Sequence, residues 1–212
     1  MQRKLSNLLA LAAFVFGIAG CGGGNDTPDT SPDTSSCPRW RVGDSMTYLK
    51  TTTVNNVSTT SSAQFVVTEH TQSSVTLSSG TTARQFSITT DGRYMDGISD
   101  LPFCPPPDVG EKDEGLVWVP GPIEGTGDFA LSTYLVTDTS IESINVPASE
   151  FTAKKVVVKK TTVYSGNPVP TLPDATNTRY YVGGIGNVKQ VEVTPTTNTT
   201  ITEELTAYSY AP

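Results

Sequence analysis

The sequence predicts an all-β protein with one antiparallel domain in residues 37–212, built as an open half-barrel, a barrel or a sandwich. After Pro38 the chain consists of short runs rich in Thr, Val, Tyr and Ser, broken by Gly, Asn, Asp and Pro. Beta-branched and aromatic side chains favour strands, whereas the interrupting residues favour turns. We find no segment with helical periodicity and helix caps.

The predicted strands coincide with these runs of Thr, Val, Tyr and Ser and are given in chain order. The first alternates at Met46, Tyr48 and Lys50, and the run FTAKKVVVKKTTVY is the clearest of all. The predicted strands cover residues 45–54, 57–69, 75–79, 84–90, 93–96, 116–119, 129–136, 140–146, 151–164, 179–182, 188–193 and 201–210.

Three connections are predicted between these strands. Asp91-Gly92 is a typical hairpin turn. Residues 97–114 contain three consecutive prolines, which exclude a sheet interior and predict a long surface loop. Residues 165–177, rich in Pro, Gly and Asn, predict a second loop.

The N-terminus has the layout of a secretory signal peptide. Arg3 and Lys4 form a short positive region, the apolar run 8–16 follows, and the small residues Ala19 and Gly20 precede Cys21. The apolar run is too short for a permanent membrane span. We therefore expect residues 1–20 to be removed.

Ile18-Ala19-Gly20-Cys21 resembles the lipobox of bacterial lipoproteins. In that family the cysteine thiol carries diacylglycerol and the new amino group is usually acylated, so the resemblance implies that Cys21 is the lipid anchor. Gly22 stands where aspartate would signal retention in the inner membrane, which favours the outer membrane. Residues 22–36 lack apolar side chains and predict, with Cys21, a flexible linker over 21–36.

Composition excludes some partners. Loss of Arg3 and Lys4 with the leader takes the formal net charge from −7 to −9. An acidic domain without basic clusters argues against nucleic-acid binding and against adhesion to anionic headgroups.

Cys37 and Cys104 remain once Cys21 is assigned to lipid. An even pair in an exported protein favours a disulfide between them, with two free thiols as the alternative.

Three stretches resemble secreted bacterial lipoproteins of unknown function. They are the first strand Trp40–Tyr48, the turn Ile144–Phe151 and the hairpin Arg179–Lys189. Such proteins are similar in turn to LolA/LolB-like lipoprotein carriers. The resemblance implies a curved antiparallel half-barrel that holds acyl chains. Read physically, Gly183, Gly184 and Gly186 need only shape a tight hairpin.

No catalytic or metal-binding constellation stands out. His70 is the only histidine and is interpreted as an exposed strand-end residue. The carboxylates of residues 108–114 match no EF-hand spacing, so we interpret them as a solvated loop rather than a calcium site. Trp40 and Trp118 are interpreted as core or rim residues rather than a sugar platform. We predict no catalytic residue, metal or cofactor.

The sequence therefore predicts a lipid-anchored, non-enzymatic envelope protein with a lipid, a glycan or an envelope protein as its partner. One alternative is a secreted hydrolase that acts on cell-wall or extracellular polymers, with two acids, or a serine and His70, in a cleft. The other is a purely structural envelope lipoprotein.

Overall fold

A computed structural model describes residues 37–90, 92–96, 102–120, 127–164 and 174–211. The prediction of an all-β domain is confirmed, and a 3-10 turn at Pro195–Thr197 is the helical element of the described part. The strands are β1 (Ser45–Val54), β2 (Val57–His70), β3 (Ser74–Ser79), β4 (Thr82–Ile88), β5 (Tyr94–Asp96), β6 (Pro102–Cys104), β7 (Lys112–Pro120), β8 (Gly127–Val146), β9 (Ser149–Tyr164), β10 (Ala175–Val182), β11 (Gly186–Thr194) and β12 (Thr199–Ser209).

All twelve strands of the described residues belong to one antiparallel sheet with the order β6-β5-β4-β3-β2-β1-β12-β11-β10-β9-β8-β7. Neighbours in sequence are neighbours in the sheet, except that β1 pairs with β12 and that β6 and β7 form the two edges. The sheet is therefore open. The barrel and sandwich alternatives are wrong, because closure would need a ladder between β6 and β7 and a sandwich would need a second sheet.

One face of the sheet, which we call the inner face, carries the core. Residues directly opposite in antiparallel strands share a face, and the register places Met46 beside Phe65 and Tyr48 beside Leu205. A single buried cluster on this face combines Val75 and Phe86 from one half of the sheet with Val136 and Val156 from the other. The sheet must therefore curve around its inner face.

The entry segment, residues 37–44, places Pro38 and Trp40 inside this curve, whereas Arg39 and residues 41–43 are exposed. Trp40 is 4% exposed and contacts the rings of Phe86 and Tyr94, with centroids 5.7 and 5.8 Å away. The Tyr94 hydroxyl donates to the Pro38 carbonyl at 3.2 Å. The first described part of the chain thus fills the sheet's interior before β1 begins.

A disulfide joins Cys37 to Cys104, the pairing that the cysteine count favours, with Cα atoms 5.4 Å apart. It links the entry segment to edge strand β6. Beyond Cys104 the chain passes the buried Pro106 and Pro107, and Lys154 donates to the Pro106 carbonyl at 3.1 Å. Lys154 also pairs with Asp108 at 2.6 Å.

The prediction of one long surface loop over residues 97–114 is therefore wrong for its described part. That part contains β6, a buried proline turn and the start of β7. Prolines are tolerated there because β6 is a three-residue edge strand, where fewer ladder hydrogen bonds are needed. Residues 97–101 lie outside the described residues.

The predicted strands 129–136 and 140–146 are one strand, β8, with a shift of register between Val136 and Asp138. A bulge of this kind bends a strand without ending it. The far end of the β8–β9 hairpin reaches the centre of the sheet, where the Ala148 amide donates to the Leu205 carbonyl at 3.1 Å. Leu205 lies next to a second irregularity, in the β1–β12 ladder.

Several predictions fall on residues outside the described part. They are the leader 1–20, the anchor Cys21, the linker 21–36, Asp91 of the predicted turn and most of the loop 165–177. Within the described residues, no helix has the length and apolar character that a membrane crossing requires.

Candidate functional site

The inner face holds a cavity of about 310 Å³ beside the entry segment. Its apolar wall comes from the entry segment and four strands, because every second residue of a strand faces inward. The wall consists of Trp40, Met46, Phe65, Leu77 and Phe86, and of these Phe65 is the most exposed. Ligand pockets in proteins typically measure about 300–1,000 Å³, so this cavity suits a small ligand.

Charged and polar side chains form the rim of the cavity. The register aligns Lys50 with Glu203, Glu203 with Gln190, and Gln190 with Arg179 in one row across four strands. Lys50 and Glu203 form an ion pair at 3.6 Å. Arg84 on β4 completes the rim, and its guanidinium carbon lies 5.0 Å from the centroid of the Phe86 ring.

Arg84 and Arg179 show how strongly the sheet curves. Six strand spacings separate β4 from β10, which would amount to roughly 29 Å in a flat sheet. Both side chains nevertheless line the same cavity. The curvature therefore brings cations from the two halves of the sheet to one opening.

Tyr48 lies between the apolar wall and the rim. Its hydroxyl donates to the Asn187 carbonyl at 2.8 Å. Burial raises the pKa of the Tyr48 hydroxyl, an effect that Arg84 opposes and Glu203 reinforces. The hydroxyl therefore stays protonated at neutral pH and acts as a fixed hydrogen-bond donor rather than a base.

A second cavity, of about 440 Å³, lies at the disulfide end of the domain and is lined by Cys37, Arg39, Arg41, Asp44, Gly184, Tyr210 and Ala211. Asp44 is 2% exposed and already accepts from the Arg41 and Ala211 amides, both at 2.7 Å. Its carboxylate therefore serves to hold the entry segment against the chain's end.

The residues that sequence reasoning considered for chemistry are scattered. His70 ends β2, is exposed and lines none of the cavities described. Of the acidic residues, Asp108 pairs with Lys154, Glu114 pairs with Lys112 at 3.3 Å, and Asp113 is buried on β7. The interpretation of this stretch as a wholly solvated loop is thus wrong for Asp113.

Trp40 is a core residue, while the side chain of Trp118 lies outside the described part. Gly184 and Gly186 have φ values of 77° and 101°, which the tight β10–β11 hairpin requires. Among the described residues, no group of three or more His, Cys, Asp or Glu side chains could hold a metal ion.

Sequence reasoning missed the rim. Lys50, Arg84 and Arg179 were not proposed as site residues, although each shares a strand face with an inward-facing aromatic residue two positions away: Tyr48, Phe86 and Tyr181. The sequence signal that could have identified the rim was a cation at an inward-facing position of an amphipathic strand.

No family model matches the chain, and no curated protein matches it. Three solved structures are similar in part. A candidate exported protein with a YmcC-like fold from Bacteroides fragilis is 15% identical, with a TM-score of 0.45 and coverage of 81% of this chain and 97% of that one. A candidate lipoprotein from Parabacteroides distasonis is 12% identical, with a TM-score of 0.42 and the same coverages.

The hypothetical lipoprotein YmcC from Escherichia coli is 11% identical, with a TM-score of 0.42, and the match covers 78% of this chain and 85% of that one. At these identities and scores, the similarities carry no conclusion about what this chain does.

Proposed function

We propose that this chain is a lipid-anchored, non-enzymatic protein of the cell envelope whose β domain binds a small apolar ligand in its inner cavity. The observation that carries the proposal is the apolar wall: Trp40, Met46 and Leu77 belong to the buried cluster of the domain and also line an open space of about 310 Å³. A domain with only a structural role would gain stability by filling that space.

The wall also bears on the class of ligand. Met46, Leu77 and Phe86 offer hydrocarbon and ring surface, which suits an acyl chain better than a glycan. A glycan would require hydrogen-bonding groups along its length. The hydrolase alternative needs two carboxylates, or a serine with His70, in one cleft. Among the described residues, Glu203 is the one carboxylate that lines this cavity, and His70 lies elsewhere.

The ligand test replaces each of two alanines with phenylalanine. Ala63 lines the cavity, whereas Ala207 is exposed and lines none of the cavities described. The mature chain, residues 21–212 with Cys21→Ala, is exported behind a cleavable leader, purified without detergent and measured by native mass spectrometry. We expect a co-purifying mass in the lipid range that Ala63→Phe removes and Ala207→Phe retains. A bare protein mass for the unsubstituted domain would contradict the proposal and favour the purely structural role.

The anchor is tested separately. The lipobox resemblance assigns the acyl chains to Cys21, and two or three chains give stable attachment where one gives only marginal binding. Cells that express the complete chain are labelled with palmitate and their membranes separated by density. We expect label on the wild-type chain in the outer-membrane fraction and no label on Cys21→Ala. Label that persists on Cys21→Ala would refute the assignment.

A further inference from the structure

We propose that the inner cavity binds a single-chain amphiphile in one orientation, with the end of its alkyl chain against Met46 and Phe65 and its hydrogen-bonding head at Lys50 and Ser61. This inference rests on the proposed function and goes further, because it names the class of ligand and the direction in which it enters. It starts from two neighbouring strands, β1 and β2, whose inward-facing residues line the cavity.

The polarity of the cavity changes in three steps along β1 and β2. The register sets three pairs of residues opposite each other, and all six residues line the cavity: Met46 with Phe65, Tyr48 with Ala63, and Lys50 with Ser61. The first pair is apolar, the second combines a phenol with a methyl group, and the third is polar. Residues two apart on a strand lie roughly 6.6 Å from each other, so the three pairs span about 13 Å.

Exposure to solvent changes in the same direction. Met46 is 4% exposed, the middle pair is half-buried, and Lys50 and Ser61 are exposed. Trp40, which is also 4% exposed, belongs to the same buried cluster as Met46. The apolar end of the cavity is therefore its closed end, and the polar end opens to solvent. A ligand that enters must lead with its alkyl chain and leave its head at the opening.

The open end can form hydrogen bonds to an uncharged head. Ser61 contributes a hydroxyl group and Gln190 an amide group to the lining, and each of these can both donate and accept. Lys50 and Glu203 at the same end pair with each other at 3.6 Å. A hydroxyl group can bond to Ser61 or Gln190 without separating these two charges. An alcohol is therefore the simplest head that this end can hold.

The size of the cavity limits the chain length. A methylene group occupies about the same space as a water molecule, whose share of the liquid is roughly 30 Å³. A volume of about 310 Å³ therefore accommodates on the order of ten such groups. One chain of that length fits, whereas the two long chains of a diacyl lipid do not.

The orientation is tested with bromine, which quenches tryptophan fluorescence at short range. Trp118→Phe leaves Trp40 as the single tryptophan of the chain, in the mature protein with Cys21→Ala. The probes 10-bromodecan-1-ol and 2-bromodecan-1-ol carry the bromine at opposite ends, and decan-1-ol without bromine is the control. At saturation we expect the 10-bromo probe to quench Trp40 more strongly. Equal quenching, or stronger quenching by the 2-bromo probe, would overturn the orientation.

The chain length is tested by isothermal titration calorimetry on the mature chain with Cys21→Ala, without further substitution. The ligands are hexan-1-ol, octan-1-ol, decan-1-ol and dodecan-1-ol. Up to decan-1-ol the affinity should rise about fourfold per added carbon, which corresponds to about 0.8 kcal/mol per buried methylene. From decan-1-ol to dodecan-1-ol it should rise less than about twofold per carbon, because the cavity is full. A constant gain through dodecan-1-ol would refute the size limit.

A pair of substitutions locates the closed end. Phe65→Ala enlarges the cavity beside Met46, so dodecan-1-ol should regain the fourfold gain per carbon while the shorter alcohols still bind. Phe151→Ala removes the same ring from a position that packs against the core and lines none of the cavities described. It should leave the whole series unchanged. A length limit that is the same in Phe65→Ala and in the unsubstituted domain would overturn the placement of the chain end.

The outcomes separate the two proposals. Alcohols that bind without a preferred orientation, or without a limit of length, would overturn this inference and leave the apolar cavity as the binding site. Failure of all the alcohols to bind would overturn the proposed function itself and this inference with it.

Discussion

Removal of the Cys37–Cys104 disulfide should destabilise the domain more than any single polar substitution. The bond connects the entry segment to β6 across 67 residues of chain. Cys104 is 3% exposed, and Cys37 contacts the same buried cluster as Trp40. In the double variant Cys37→Ala/Cys104→Ala the entry segment keeps its apolar contacts but loses its covalent constraint.

The magnitude follows from the loop that the bond closes. In the chain-entropy model, cross-linking 67 residues removes roughly 15 cal/mol/K of entropy from the unfolded chain, which is about 4.4 kcal/mol at 25 °C. Domains of this size are stable by only about 5–15 kcal/mol. With a urea m-value of about 2 kcal/mol/M, the unfolding midpoint should fall by about 2 M.

The assay is urea unfolding followed by tryptophan fluorescence, with the oxidised wild type, the reduced wild type and the double variant in parallel. Mass spectrometry establishes that the oxidised protein is lighter by two hydrogens. The reduced wild type should behave like the double variant, because both lose the same constraint. A loss below about 1 kcal/mol with an unchanged m-value would refute the entropy argument.

Two further predictions concern single residues. Burial raises the pKa of the Tyr48 hydroxyl, so the unfolded chain loses this proton at a lower pH than the folded domain does. The contribution of Tyr48 to the free energy of unfolding is therefore complete below about pH 10 and declines at higher pH by up to about 1.4 kcal/mol per pH unit. Alkaline unfolding of Tyr48→Phe, measured beside the wild type, should show a shallower loss of stability as the pH rises, and an equal loss in both proteins would contradict this account. Gly43 has a φ of 99°, and an added Cβ would lie 3.1 Å from the Ala211 Cβ, so Gly43→Ala should cost about 1–3 kcal/mol in urea unfolding. Gly80→Ala, with no neighbour within 4 Å, should cost less, and equal losses would contradict the role of the Ala211 contact.

Most of the strands were predictable because their signal is local, whereas β6 was predicted as part of a loop. Val, Thr and Tyr mark each run, and Gly or Asn marks most of the breaks. The bulge in β8 was not predictable, because the polar residues Thr137 and Asp138 suggest a break between two strands. A bulge depends on what the partner strand offers, and here β9 continues uninterrupted past the shift.

Whether the sheet stays open or closes into a barrel could not be deduced from the sequence either. Closure depends on whether β6 and β7, the two edge strands of the sheet, pair with each other. The pairing that sets the sheet order joins β1 to β12, for example Ser45 to Ser209, across almost the whole domain. Such a contact leaves no local trace in composition.

The cavity was hidden for a related reason. Its wall and rim come from the entry segment and seven strands, and alternation within one strand gives only the face on which a residue lies. Lys50 follows Met46 and Tyr48 on the inner face of β1, so its inward position was readable. That Arg84 and Arg179 approach the same opening depends on curvature, which no single strand encodes.

The disulfide also has a mechanical consequence. A pull exerted on the chain from its N-terminal side enters the described domain at Cys37, where it can travel along the backbone to β1 or through sulfur to β6. The first route ends at the centre of the sheet and the second at its edge. The force is thus divided between two routes before it reaches Trp40. The backbone of the entry segment carries only part of it, so Trp40 is less easily pulled out of the interior. Without the bond, the same pull would act on the entry segment alone and would peel it away from the sheet one contact at a time.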